Sequence, residues 1–251
     1  MYFDGSIFDK HDRIILQFSS GKDSLCCLYL LKDYWSKILV VWSNAGDEMP
    51  ETIEVIERVR RTPGINFLEV RPILPQPLSI QLHGLPSDII PLRNVDGYAY
   101  ASQRETSGVS IQSIMQCCNR LLFKPLHDAV IAYGATLVIR GQRLSEDLHS
   151  PIRSGDIIDG VEYFFPLEDW SEEQVFNYLK EKEVEIPVFY LRVGHSLDCA
   201  TCTGFLDSSK DKIAYLKEKH PEKYRVLHER LESLKQSLDI ERQHLVDAVN
   251  I

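Results

Sequence analysis

Three short strand-like runs, rich in apolar residues and separated by helix-length stretches, constrain this chain more than anything else in it. The first is Arg13-Ile14-Ile15-Leu16, followed by a small polar turn and then Leu25-Cys26-Cys27-Leu28-Tyr29-Leu30-Leu31. The second is Lys37-Ile38-Leu39-Val40-Val41-Trp42-Ser43, and the third Asn66-Phe67-Leu68-Glu69-Val70-Arg71. Between these two, Pro50 opens a helical stretch from Glu51 to about Arg61. Strands covered on both faces read as continuous apolar runs, not as alternation. Strand, helix, strand, helix, strand therefore predicts right-handed crossovers and an α/β fold with an open, mostly parallel twisted sheet and helices on both faces. Ligands of such sheets sit at the carboxyl ends of the strands, where Ser19–Ser24 and Asn44–Thr52 emerge.

Further along, Ile111 to about Tyr133 has a helical pattern, and Thr136–Arg140 and Tyr163–Leu167 read as two more strands. Ser171-Glu172-Glu173-Gln174 is a capping box that opens a helix. Residues 72 to about 108 break the rhythm with Pro72, Pro75, Pro77, Pro86 and Pro91. They predict a long loop, either a lid beside the site or a variable surface excursion. From Pro221, leucines 227, 231, 234 and 238 form a short seam, which predicts a helix packed on its own domain, with a homodimer contact as the alternative. The expected organisation is one domain over 1–206 and a helical C-terminal extension over 207–251.

With 251 residues, the chain can bury a full core. A net charge of −9 argues against general nucleic-acid binding. No apolar run reaches the length of a membrane span, and Met1-Tyr2-Phe3-Asp4-Gly5 lacks the pattern of a secretory signal. A cytoplasmic location with no membrane contact is expected. There, six cysteines are better read as ligands or catalysts than as disulfides.

The turn Gln17-Phe18-Ser19-Ser20-Gly21-Lys22-Asp23-Ser24 lies between a strand and a helix, a layout suited to anions. Backbone N–H groups converge there, and the helix dipole adds about half a positive charge. Gly21 permits close approach, Ser19, Ser20 and Ser24 offer hydroxyls, and Lys22 adds a full charge. The turn is neither a Walker A element nor Gly-x-Gly-x-x-Gly. It resembles the Ser-Gly-Gly-x-Asp-Ser loop of the PP-loop ATP pyrophosphatases, with Ser20 in place of the first Gly. That resemblance implies a grip on pyrophosphate, phosphate or sulfate.

The cysteines come in pairs: Cys26-Cys27, Cys117-Cys118 and Cys199-Ala200-Thr201-Cys202. The first pair sits in an apolar helix and reads as small buried hydrophobes. Cys117, Cys118, Cys199 and Cys202 could together hold zinc or an iron–sulfur cluster, and a Cys-x-x-Cys could also serve as a redox dithiol.

Cys117-Cys118-Asn119-Arg120 with Lys124-Pro125-Leu126, and Cys199-Ala200-Thr201-Cys202-Thr203, resemble the two cysteine segments of adenylylsulfate (APS) reductases. Gly141-Gln142-Arg143, Ser150-Pro151-Ile152-Arg153 and Pro166-Leu167-Glu168-Asp169-Trp170-Ser171, with Val175, Tyr178-Leu179, Ile186-Pro187 and Tyr190, follow the same pattern. The resemblance spans about residues 14 to 206. The chain is identified as a member of the phosphoadenosine phosphosulfate (PAPS)/APS reductase-like PP-loop family. That membership implies an adenine nucleotide α-hydrolase-like fold and one [4Fe–4S] cluster on the four cysteines. It also implies an adenine nucleotide (ATP, APS or PAPS) on Ser19, Ser20, Gly21, Lys22, Asp23, Ser24, Gly141, Arg143 and Arg153, with Asn44 and Gly46 shaping the adenosine side. Lys22, Asp23 and Arg143 are the expected catalytic residues, and Asp23 could also help place Mg²⁺. His83, His127 and His149 read as ordinary polar residues.

The match departs from the reductases in two respects: Gly21-Lys22-Asp23-Ser24 is nearer the ATP-pyrophosphatase form of the loop than the reductase form, and a cysteine is missing. The reductases attack sulfur with a C-terminal cysteine, and no cysteine follows Cys202 here. The expectation is an enzyme that cleaves or transfers at the α-phosphate of an adenine nucleotide for sulfur chemistry, with a nucleic acid among the conceivable acceptors. A true APS or PAPS reductase with a borrowed cysteine and a thioredoxin-like or sulfur-donor partner is one alternative. A non-catalytic nucleotide-binding or redox-sensing module is the other.

Overall fold

The computed structural model describes residues 3–95, 108–146, 150–194, 196–197 and 199–250. His149 and the later part of the expected 72–108 loop lie outside these residues. In chain order the elements begin with β1 (Ile14–Gln17), α1 (Lys22–Leu30), β2 (Ile38–Ser43), α2 (Pro50–Arg61) and β3 (Asn66–Val70). Next come α3 (Gln76–His83), β4 (Leu85–Ser87), β5 (Ile111–Ser113) and α4 (Ile114–Cys118). They are followed by α5 (Lys124–Tyr133), β6 (Leu137–Ile139), β7 (Ile157–Ile158), β8 (Val161–Phe164), α6 (Glu172–Glu181) and α7 (Tyr190–Val193). The last two helices are α8 (Ser209–Lys219) and α9 (Pro221–Val249).

The chain forms two compact units that do not follow chain order. The first gathers residues 1–44, 50–71 and 123–196, and the second 45–49, 72–122 and 197–251. This division differs from the expected boundary at 206, because the C-terminal helices group with residues 72–122.

The first unit is built on a six-stranded sheet in the order β3-β2-β1-β6-β8-β7. Every pairing is parallel except β7 with β8. The side chains obey the period of two that a pleated strand imposes. Ile14, Leu16, Ile38, Val40, Trp42, Leu137 and Ile139 enter one apolar cluster with α1, α2 and α6. Ile15, Val41 and Val138 enter another with Ala129 and Val130 of α5. Both faces are thus covered, which is why the strands read as unbroken apolar runs. The capping box at Ser171 forms as expected, with Ser171 Oγ accepting from Gln174 N–H at 3.2 Å and Gln174 Oε1 from Ser171 N–H at 2.7 Å.

Three expectations need correction here. The strand expected at Tyr163–Leu167 runs over Val161–Phe164. It is the second arm of a hairpin whose turn is Asp159-Gly160, at φ 51° and 79°. Asp-Gly between apolar residues favours the positive-φ turn that matches strand twist. The stretch 72–95 is not a structureless loop, since it holds α3 and β4. The helix expected from Ile111 begins as a strand, β5, and passes through a π-type turn at Asn119–Phe123 between α4 and α5.

In the second unit, β4 and β5 pair in parallel as a two-stranded sheet. Ile80, Leu85 and Ile111 pack with Leu234 and Leu238 of α9. Two of the four seam leucines, Leu234 and Leu238, are therefore covered within their own unit. Among the described residues, no helix is long and apolar enough to cross a membrane.

Candidate functional site

β1 is the point at which the sheet order reverses: the chain proceeds through β2 and β3 on one side, and later through β6 and β8 on the other. In open α/β sheets the ligand crevice forms at such a point, beyond the carboxyl ends of the strands. The loop leaving β1 is tight. Ser19 Oγ and Ser24 Oγ lie 3.2 Å apart, Gly21 N–H donates to Ser19 Oγ at 3.3 Å, and Ser24 Oγ donates to Gly21 O at 3.0 Å. Ser20 sits at φ 65°, left-handed backbone that disfavours a side chain. Gly21 is the N-cap of α1 and supplies no side chain to cap the helix's first N–H groups. This is an anion-binding geometry.

Two cations are buried beside that helix end. Lys22 Nζ lies 2.9 Å from Asp23 Oδ2 and 3.2 Å from Glu172 Oε1, and 5.9 Å from the ring centres of Phe176 and Tyr190. Arg143 Nε donates to Asp23 Oδ1 at 2.6 Å, and its Nη1 donates to Ser145 Oγ at 2.7 Å. Each oxygen of Asp23 thus faces a cation, Lys22 on one side and Arg143 on the other. Burial raises the Glu146 carboxyl above its usual range despite its hydrogen bond from Arg143 N–H, and Asp23 adds to the rise. Gly141 is required by contact: a Cβ there would stand 2.7 Å from Asp23 O and 2.9 Å from Ser24 N.

In the second unit, the Cys117 segment lies against the turn that carries Cys199. Cys117 packs with Ala45, Leu121 and Cys199 in one small cluster. Burial pushes the Cys117 thiol up to about 12, with Cys202 and Cys118 adding to the rise and Arg120 and Arg230 opposing it. Cys199 begins a tight turn at φ 53°, closed by Cys202 N–H donating to Cys199 O at 2.9 Å. Gly204 N–H donates to Cys202 Sγ at 3.4 Å. Among the described residues, no three His, Cys, Asp or Glu side chains already stand as a metal-binding group. The donor set itself, four free thiols from two segments, suits tetrahedral sulfur ligation.

Residues 13–205 match the model of the phosphoadenosine phosphosulfate reductase domain. The chain belongs to that family. It is similar to the adenosine 5'-phosphosulfate reductase of Allochromatium vinosum, with 23% identity over 201 residues, covering 80% of this chain and 72% of the relative. The corresponding reductase of Burkholderia cepacia is 24% identical over 213 residues, covering 83% and 76%. Among solved structures, the phosphate complex of phosphoadenylyl-sulfate (PAPS) reductase from Candida auris aligns with a TM-score of 0.48 at 16% identity. That alignment covers 73% of this chain and 79% of the other.

Within the span matched by the reductase family model, the structure unites Ser19, Ser20, Gly21, Lys22, Asp23, Ser24, Gly141 and Arg143 around one helix end. The other expected residues have local partners. Asn44 Nδ2 donates to Glu69 Oε1 at 2.9 Å, and Arg153 Nε lies 3.6 Å from Glu168 Oε1 on an exposed stretch. Gly46, in the second unit, sits at φ 92° with Pro75 so close that a Cβ would meet it at 2.8 Å, which gives its glycine a local reason. The roles of Glu172 and Tyr190, whose hydroxyl accepts from Lys22 N–H at 3.2 Å, were not foreseen. Tyr190 had been noted only as part of the family pattern, and nothing in its spacing pointed to the loop. Cys26 and Cys27 are fully buried, as expected.

Proposed function

We propose that this chain is an enzyme that binds an adenine nucleotide at the β1–α1 loop and carries a [4Fe–4S] cluster on Cys117, Cys118, Cys199 and Cys202. We further propose that its chemistry is of the ATP pyrophosphatase type, serving sulfur transfer. The observation that carries the reading is the glycine-capped end of α1 at the sheet's reversal point, flanked by the buried Lys22–Asp23–Arg143 group. Backbone N–H groups and Ser19, Ser20, Gly21 and Ser24 would hold the terminal phosphates. Lys22 and Arg143 would neutralise charge that grows on the departing pyrophosphate as an acceptor oxygen bonds to the α-phosphorus and the α–β P–O bond breaks. Gly141 lets the arginine-bearing segment approach, while Arg153, Asn44 and Gly46 would serve the rest of the nucleotide. Mg²⁺ would enter on the phosphates. The cluster, when bound, would supply redox or sulfur-handling capacity.

A reductase reading is favoured by the names of the curated relatives. It needs a nucleophilic thiol. Cys26 is held up to about 12 and Cys27 well above its usual range, chiefly by burial, so neither serves, and the thiol would come from elsewhere. Anaerobically purified protein incubated with ATP and Mg²⁺ should release pyrophosphate, and Lys22→Ala should bind ATP about tenfold or more weakly while staying folded. Sulfite from APS or PAPS with thioredoxin, and no pyrophosphate from ATP, would replace this reading with the reductase one. ATP bound with neither product would mark a binding or sensing module.

A further inference from the structure

The turn carrying Cys199 and Cys202 is held by side chains that the nucleotide site does not use. Asp47 Oδ2 accepts from Thr201 N–H at 2.8 Å, from Thr201 Oγ1 at 2.6 Å and from Gln76 Nε2 at 3.0 Å. Its Oδ1 accepts from Lys223 Nζ at 3.1 Å. Lys212 Nζ on α8 donates to the carbonyls of Cys199 and Cys202 at 3.2 and 3.4 Å. Arg230, on α9, reaches the same turn. Its Nη1 donates to Thr201 O at 3.0 Å, Thr201 Oγ1 at 2.5 Å and Gln76 Oε1 at 3.4 Å.

Among the described residues, the acceptors of this half-buried guanidinium are three neutral oxygens. A cation removed from water needs a nearby anion. Asp47 is the first of the groups that oppose the effect of burial on Arg230, and Cys202, Cys117 and Cys199 would add to it as thiolates. A four-thiolate centre would add a second anionic partner beside Asp47.

We infer that Arg230 is a positioning residue of the four-cysteine centre, fixing the Cys199–Cys202 turn through Thr201 and setting a positive charge beside the sulfur ligands. This rests on the reading that those cysteines hold a cluster. Two effects follow, one geometric and one electrostatic. The fork to Thr201 slows loss of the metal centre, and the charge makes the centre easier to reduce.

The test uses anaerobically purified full-length chain, assayed for iron and sulfide, for the cluster's midpoint potential and for iron release to a chelator. Arg230→Gln should lower the midpoint potential and speed iron release by roughly 10–100-fold. Arg230→Lys should restore the potential towards wild type while iron release stays fast. Thr201→Val, which keeps the charge and removes an acceptor, should speed release without moving the potential. Arg225→Gln, an exposed position on the same helix paired with Glu222 and Glu229, should change neither. Wild-type potential and iron retention in Arg230→Gln would overturn the inference alone, as would a potential lowered in Arg230→Lys should the glutamine variant not fold. A wild-type chain that takes up neither iron nor sulfide would overturn the cluster reading and this inference with it.

Discussion

Gly141→Ala tests whether the arginine segment and the loop helix are locked together by backbone contact. The added Cβ would meet Asp23 O at 2.7 Å, Asp23 C at 2.8 Å and Ser24 N at 2.9 Å. All three are backbone atoms in the first turn of α1, so no side chain can swing aside. Either the end of α1 or the strand exit after β6 must shift by several tenths of an ångström. Overpacking of this kind costs about 1–3 kcal/mol, which in a chain of this size lowers the unfolding midpoint by roughly 2–4 °C per kcal/mol. The same shift would pull Arg143 from Asp23, weakening ATP binding by about tenfold or more. Thermal unfolding and calorimetric titration with ATP would measure both. Gly155→Ala is the control. Its φ of 92° brings local strain of about 1 kcal/mol, but nothing lies within 4 Å of the new Cβ. It should lose stability and keep its affinity. Unchanged affinity in Gly141→Ala, with a stability loss no larger than that of Gly155→Ala, would refute the locking argument.

Two further outcomes are expected. Cys26 has its thiol raised from 9.0 to about 12 by burial first and then by Asp23. The folded state therefore keeps a proton that the unfolded chain releases, and stability should hold below pH 9.0 and fall as pH climbs from there towards about 12. Urea unfolding at stepped alkaline pH, compared with Cys26→Ala, should show a shallower decline in the variant; equal slopes would count against it. Leu234→Ala removes a buried anchor of α9 that packs on Ile80, Leu85 and Ile111 and should destabilise the second unit by about 2–5 kcal/mol. Hydrogen exchange should then quicken in α3 and β5 while the strands β1, β2 and β6 stay protected; uniform quickening would mean the two units unfold as one.

What could be read in advance follows from how local each signal is. β1, β2 and β6 are covered on both faces, so their sequences carry unbroken apolar runs, and the loop after β1 inherits its position from them. The prolines of residues 72–95 misled in the other direction. Pro77 occupies the first turn of α3, where a missing N–H costs nothing, and Pro86 lies in β4, which has a single partner strand. β5 is three residues long, too short to interrupt a helical period. At the site, the serines, Gly21 and Lys22 were legible because they are contiguous. The use of Asp23 as a bridge between Lys22 and Arg143 was not, since Arg143 lies 120 positions away. Arg230 escaped notice for the same reason: a lone arginine on an amphipathic helix resembles any solvated charge until the fold sets it against Thr201.

The three separate pieces of the second unit have a consequence for biosynthesis. Residues 45–49 and 72–122 emerge from the ribosome long before 197–251, yet Ile80, Leu85 and Ile111 find their apolar partners on α9. A nascent chain paused before that helix would carry those side chains uncovered and the Cys199–Cys202 turn unbraced. Assembly of any centre on that turn would therefore wait until this helix has been made.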